Sequence, residues 1–124
     1  VLVERVEGFA APAEWTRAYG EINDFEAQLT RAGYIVHKFW LAIDEEEQLR
    51  RFEERKETPH KRFKITDEDW RNRAKWPLYA AAVEDMVALT STEAEPWTLV
   101  ESNSKRFSRV KVLRSLADRL EDEL

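Results

Sequence analysis

TPHKRFKITDEDWRNRAKW, residues 58–76, carries the features that order the rest of the chain. It opens on a breaker, Thr58-Pro59, and runs into a basic cluster, His60, Lys61, Arg62 and Lys64. Thr66-Asp67-Glu68-Asp69 then reads as a helix start. Thr66 can cap, and three carboxylates follow in the first turn, where the helix dipole favours negative charge. A basic loop held between two helices can close over a polyanion. The plainer reading is a solvated turn that carries charge for solubility.

Downstream, a helical pattern runs from about Asp67 to Leu89, with Trp70, Trp76, Tyr79, Val83, Met86 and Val87 as its apolar stripe. Pro77 lies inside it, which predicts a kink or a restart near Lys75–Pro77. Trp97–Glu101 reads as a short buried strand, and Ser102–Lys105 as a turn. A last helix, about Lys105 to Glu121, is expected to pack Phe107, Val110, Leu113, Leu116 and Leu120 inward.

Upstream, Asp44 caps a helix over Glu45–Lys56, with Leu49 and Phe52 facing inward and Arg50, Arg51, Arg55 and Lys56 towards its end. Tyr34 to Ile43 is nearly continuous in apolar character, which predicts a strand covered on both faces. A helix over Ala13–Thr30 precedes it and runs out at Arg31-Ala32-Gly33. Gly8 is expected to end a short first element. The opening Val1-Leu2-Val3, without Met or cap, reads as a chain cut from something longer.

The order is helix, strand, helix, loop, helix, strand, helix. Strand–helix–strand alternation predicts an α/β fold with parallel strands and right-handed crossovers. Two strands do not make a stable parallel sheet alone. The chain therefore reads as the back half of an α/β domain, expected to fold poorly by itself. With 124 residues it is one domain at most.

Composition removes several function classes. There is no Cys, so disulfides, Cys-bound zinc and thiol catalysis are excluded, which suits a reducing cytoplasm, the expected location. Neither G-x-x-x-x-G-K-[ST] nor G-x-G-x-x-G occurs. A net charge of −5 argues against nucleic-acid polymers as partners, so any polyanion site must be local. No apolar run reaches membrane-spanning length, and no membrane partner is expected.

Several blocks in order carry a resemblance: VLVERVEGF at 1–9, EINDFE at 21–26, EEQLRRFEER at 46–55, TPHKRFKITDEDW at 58–70 and WTLVESNSKRFSR at 97–109. Together they resemble the polyphosphate kinase 2 family over essentially the whole chain. The resemblance implies a P-loop kinase-like, thymidylate kinase-like three-layer sandwich, of which residues 1–124 are the C-terminal portion with two parallel strands and flanking helices. It implies phosphate transfer between inorganic polyphosphate and AMP or ADP, with magnesium, in a homo-oligomer. The family's Walker A loop and Walker B Asp-Arg are absent, so most magnesium ligands would lie outside this sequence, and no residue here is assigned to metal. The AMP-using branch is the nearer one. The non-catalytic alternative is an interaction or oligomerisation module derived from the same fold.

By the same resemblance the lid spans about residues 55–75, and Arg55, Lys61, Arg62, Lys64 and Asp69 are the catalytic candidates. Glu4, Arg73, Asn103, Lys105 and Arg109 are the substrate-binding candidates. Ser104 stands where the family often has Asp, and Ala42, Ala74 and Leu78 stand where more polar residues are expected. Phosphoryl transfer needs positioning and charge neutralisation, which Arg supplies bidentately and Lys as a point charge. Each candidate has a plainer reading: a helix-start carboxylate for Asp69, an i,i+4 partner of Asp69 for Arg73, solvent-side charges for Lys105 and Arg109. His37 reads as a satisfied core histidine, and Trp70 and Trp76 as core rather than base-stacking residues.

Overall fold

The computed structural model describes all 124 residues. Its helices are α1 (Leu2–Val6), α2 (Pro12–Arg31), α3 (Glu45–Glu57), α4 (Asp67–Ala74), α5 (Trp76–Thr90) and α6 (Lys105–Glu123). Its strands are β1 (Lys38–Ala42) and β2 (Trp97–Glu101), and Pro59–Lys64 forms a 3-10 turn. β1 and β2 pair in parallel, from Lys38 opposite Trp97 to Ala42 opposite Glu101. The expected α/β arrangement, two parallel strands with flanking helices, is what the chain forms.

Local chemistry explains most boundaries. Gly33 takes φ 90°, and Tyr34 N–H donates to the Leu29 carbonyl at 3.0 Å, so α2 closes in a left-handed cap. Asp44 Oδ1 accepts the Glu47 N–H at 2.7 Å and starts α3. Thr66 and Asp69 exchange bonds at the start of α4, with Thr66 N–H donating to Asp69 Oδ2 at 2.9 Å. Pro77 has no N–H to donate, and the helix restarts: Lys75 separates α4 from α5 with φ −103° and ψ 26°. A near-buried carboxylate pins this break. Glu7 accepts from Lys75 Nζ at 2.7 Å and Tyr79 Oη at 3.2 Å, with Arg71 at 3.6 Å.

Three expectations are corrected. β1 is five residues rather than ten, because its one partner strand is five residues long and Tyr34–Val36 have nothing to pair with. The strands are not covered on both faces: Leu41 and Leu99 are more than half exposed, while Val100 is fully buried. His37 therefore lies just before the strand, stacked on Phe39, with Nε2 at 3.2 Å from Thr98 Oγ1 and its buried Nδ1 unpartnered.

The third correction concerns α6. Its stripe of Phe107, Val110, Leu113, Leu116 and Leu120 faces solvent, with Leu113 67% exposed. The helix lies on β2 with buried Ser108 and half-buried Val112 and Ser115 instead. A two-stranded sheet offers α6 one narrow face, and small side chains let it approach closely.

The core is small: Tyr19, Phe52, Ala82, Met86 and Val100 are its buried apolar residues. Phe52 meets Trp70 edge-to-face with centroids 5.2 Å apart, so Trp70 packs α4 on α3, as its helical spacing predicts. In α2 and β1, Glu26 and Lys38 form a near-buried pair at 2.7 Å. No helix is long and apolar enough to cross a membrane.

Phe52→Ala is expected to cost about 3 kcal/mol, because it empties the α3–α4 contact. Leu113→Ala on the exposed stripe is expected to change stability by less than about 0.5 kcal/mol. Urea unfolding of the two variants checks the contrast; equal losses would mean that the α6 stripe is packed.

Candidate functional site

Three separate elements converge on one cleft. Arg51 and Arg55 come from α3, Lys61 and Lys64 from the 3-10 turn, and Lys105 from the first residue of α6. Glu54 completes the lining, and the cleft holds about 200 Å³. Five cations face one carboxylate in a chain of net charge −5.

The convergence follows from local geometry. Residues four apart on an α-helix share a face, which puts Arg51 and Arg55 together. Residues three apart on a 3-10 helix eclipse, which puts Lys61 above Lys64. Pro59 presets the turn, and Lys61 N–H donates to the Thr58 carbonyl at 2.9 Å. Lys105 stands just past the C-terminal end of β2, where parallel sheets present their loops to ligands.

The same geometry sends Arg62 elsewhere. Its Nε donates to the Lys56 carbonyl at 2.9 Å, and its side chain lies beside Glu53 and Glu57. Of the catalytic candidates, then, Arg55, Lys61 and Lys64 meet, while Arg62 and Asp69 do not join them. Asp69 is the capping partner of Thr66. Arg73 donates to the Glu45 carbonyl at 2.7 Å and to Gln48 Oε1 at 3.3 Å, which ties α4 to the first turn of α3 rather than pairing with Asp69.

Of the substrate-binding candidates, Lys105 alone lines the cleft. Arg109 is exposed one turn further along α6. Glu4 is exposed on α1 and pairs with the Val1 amino group. Asn103 is engaged with Asp44: its Oδ1 accepts the Asp44 N–H at 3.2 Å and its Nδ2 donates to Asp44 Oδ2 at 2.8 Å. Sequence reasoning missed Arg51 as a lining residue, although its i,i+4 relation to Arg55 was the signal.

The back of the cleft is an ion-pair array. Glu47 accepts from Arg50 Nη2 at 2.7 Å and from Arg51 Nε at 2.9 Å. These two guanidinium bonds hold its carboxyl at about 2, well below the usual range. Arg50 also reaches Glu54 at 3.1 Å. Lys61, Lys64, Lys105 and Arg55 have no carboxylate within ion-pair reach. No group of three or more His, Asp or Glu side chains is placed to hold a metal ion.

A family model described as polyphosphate kinase 2 matches residues 1–124. A polyphosphate:AMP phosphotransferase from Pseudomonas aeruginosa is 68% identical over 121 residues, 98% of this chain and 24% of that relative. The chain spans about a quarter of the length of this and the other polyphosphate:AMP phosphotransferases it matches. Among solved structures, a candidate polyphosphate kinase 2 from Pseudomonas aeruginosa superposes with a TM-score of 0.94 at 66% identity, over 98% of this chain and 27% of that one. Polyphosphate kinase 2 from Arthrobacter aurescens TC1 superposes with a TM-score of 0.93 at 39% identity, over 98% of this chain and 43% of that one.

The Glu47 pairs predict a pH dependence. The carboxyl ionises at about 2 in the folded chain, against an ordinary value of 4.5. Its contribution is present above the ordinary value and is lost as pH falls towards 2. Glu47→Gln is therefore expected to lower stability at pH 7 and to flatten its decline between about pH 5 and pH 2. Thermal melts of both proteins across that range test this; parallel curves would show that Glu47 is not the linked group.

Proposed function

The chain belongs to the polyphosphate kinase 2 family, and from that premise we propose that it is the lid-bearing C-terminal part of a polyphosphate-dependent nucleotide kinase. In this reading it supplies the cationic cradle that grips inorganic polyphosphate while a phosphoryl group passes to AMP. ADP is the alternative acceptor. The observation that carries the reading is the meeting of Arg51, Arg55, Lys61, Lys64 and Lys105 in one cleft.

The chemistry fits the residues. Phosphoryl transfer asks a protein for little covalent work and much charge neutralisation. The Arg55 guanidinium can take two phosphate oxygens, Arg51, whose Nε and Nη2 are already bonded, adds its charge, and the lysines add point charges that adapt to a moving chain. The cradle sits on a rigid helix, a turn that can move and the end of a strand, so closing the turn would surround the phosphate and exclude water. The fold is read as the corresponding part of a P-loop kinase-like three-layer sandwich in the cytoplasm. Magnesium, expected from the family resemblance, has no ligand cluster among these residues, and nothing in the cradle's role is routed through it.

A second reading, an interaction or oligomerisation module, is favoured by one observation: the exposed apolar stripe of α6. It requires no anion site, so polyphosphate binding separates the two.

Titration with long-chain polyphosphate is expected to show binding that weakens with salt. Lys61→Ala with Lys64→Ala should reduce the logarithmic salt slope by about one to two, one contact for each cation removed. Arg114→Ala, which removes an exposed α6 cation outside the cleft, should leave the slope unchanged. Substituted for the matching segment of the Pseudomonas aeruginosa relative, the chain is expected to support AMP phosphorylation. There the double lysine variant should lower kcat/KM about a hundredfold. Salt-independent binding, or none, in a folded sample favours the second reading.

A further inference from the structure

The loops after β1 and β2 are joined by a closed ring of hydrogen bonds. Asp44 Oδ1 accepts the Glu47 N–H at 2.7 Å. Glu47 Oε1 accepts from Arg51 Nε at 2.9 Å. Arg51 Nη2 then reaches across to the carbonyls of Ser102 at 2.6 Å and Asn103 at 3.1 Å. Asn103 closes the ring on Asp44 through both ends of its amide, at 3.2 and 2.8 Å. Ser102 N–H also donates to the Ala42 carbonyl at 2.7 Å, which extends the strand pairing into the ring.

What the ring holds is the placement of cations. Asn103 is followed by Ser104, whose Oγ accepts the Phe107 N–H at 3.3 Å and caps α6. Lys105 is the first residue of that helix, and Arg55 lies one turn beyond Arg51 on α3. The Lys105–Arg55 separation across the cleft is therefore fixed through Asn103, Asp44 and Arg51. Asn103 itself carries no charge and does not line the cleft.

We propose that Asp44, Arg51 and Asn103 form a positioning clamp that sets Lys105 against Arg55, so that the cleft meets polyphosphate with its cations already in place. The proposal rests on the polyanion reading of the cleft. Its physical content is preorganisation. Five like charges brought together repel, and on free loops they would spread. A clamp that opposes the spreading removes an ordering cost from the binding step. Asn103 is thereby a positioning residue and not a phosphate ligand.

The test is a double-mutant cycle on the full chain, with long-chain inorganic polyphosphate as probe and a thermal melt of each variant. Asn103→Ala is expected to weaken binding about fivefold to tenfold, and Lys105→Ala by a similar factor. In the Lys105→Ala background, Asn103→Ala should change affinity less than about twofold, because there is no longer a lysine to place. A residue that merely stabilises the fold would instead multiply the two losses. Asp44→Ser keeps an oxygen for the Glu47 N–H and loses the carboxylate oxygen that accepts from Asn103 Nδ2, while the backbone bond from residue 44 to Asn103 Oδ1 remains. It should weaken binding less than Asn103→Ala does, with the effect again vanishing in the Lys105→Ala background, and it serves in its place where Asn103→Ala does not fold. Multiplying losses, or variants that bind as the unaltered chain does, overturn the clamp while the polyanion reading stands. Failure of the folded, unaltered chain to bind at low salt overturns the polyanion reading, and the clamp falls with it.

Discussion

The guanidinium of Arg51 is the contact on which the arrangement turns. It leaves the side of α3, pairs with Glu47 and ends on two carbonyls just past β2. Those carbonyls follow a strand end and have no further strand to pair with. Satisfying them from α3 answers a backbone requirement and draws α3 and the start of α6 together. An Arg suits this place because one planar group can donate in several directions at once. Lys could pair with Glu47 or reach the carbonyls, but its single nitrogen would not span both.

The helix that follows the basic turn depends on a second fixed point. Lys75 breaks the helix between α4 and α5, and Glu7 on the α1 side takes its ammonium together with Tyr79 and Arg71. The Lys75 ammonium, then the Tyr79 hydroxyl and the Arg71 charge, hold the Glu7 carboxyl below its usual range, against the opposing effect of burial. Arg73 tethers the same short helix to the start of α3, and Trp70 packs on Phe52. α4 is thus bound at both ends. The turn from Pro59 to Lys64 is held at its edges, by Thr58 and Ile65, while Phe63 is 76% exposed. The turn carrying Lys61 and Lys64 has no buried residue, which suits a segment that moves more readily than the core.

Much of this was legible in the sequence, and the failures are informative. Caps were readable because one residue type performs them: Asp44, Thr66 and Gly33 stand where their chemistry requires. The restart at Pro77 followed from a missing N–H. The direction of α6 was not legible, since periodicity reveals a stripe but not which way it faces. Phe107, Val110 and Leu113 looked like core because apolar stripes usually are. The length of β1 failed for a related reason: apolar character marks a segment as burial-prone, but a strand extends only as far as its partner. At the cleft, the separation of Arg62 from Lys61 and Lys64 needed the 3-10 geometry, and HKRF has no period that distinguishes such a turn from coil. Arg51 was hidden behind the dipole, which already accounted for a basic residue near the end of α3.

The charge arrangement separates two demands that compete. Gathering five cations on one side of α3 is unfavourable in an empty cleft, and a fold selected for stability alone would intersperse them with carboxylates. The carboxylates are present, but most are engaged elsewhere: Glu47 takes Arg50 and Arg51, Glu54 engages Arg50, and Glu53 and Glu57 lie beside Arg62. Inside the cleft only Glu54 remains, and it is already bonded to Arg50. The acids of α3 thus pair with Arg50 and Arg51 and stabilise the helix while Arg55, Lys61, Lys64 and Lys105 keep no carboxylate partner. An acidic surround also confines the positive potential to the cleft, so a polyanion would be attracted at one place rather than over the whole surface. A chain of net charge −5 can therefore hold a strongly basic site, provided that helix and turn geometry, rather than composition, decides which charges meet.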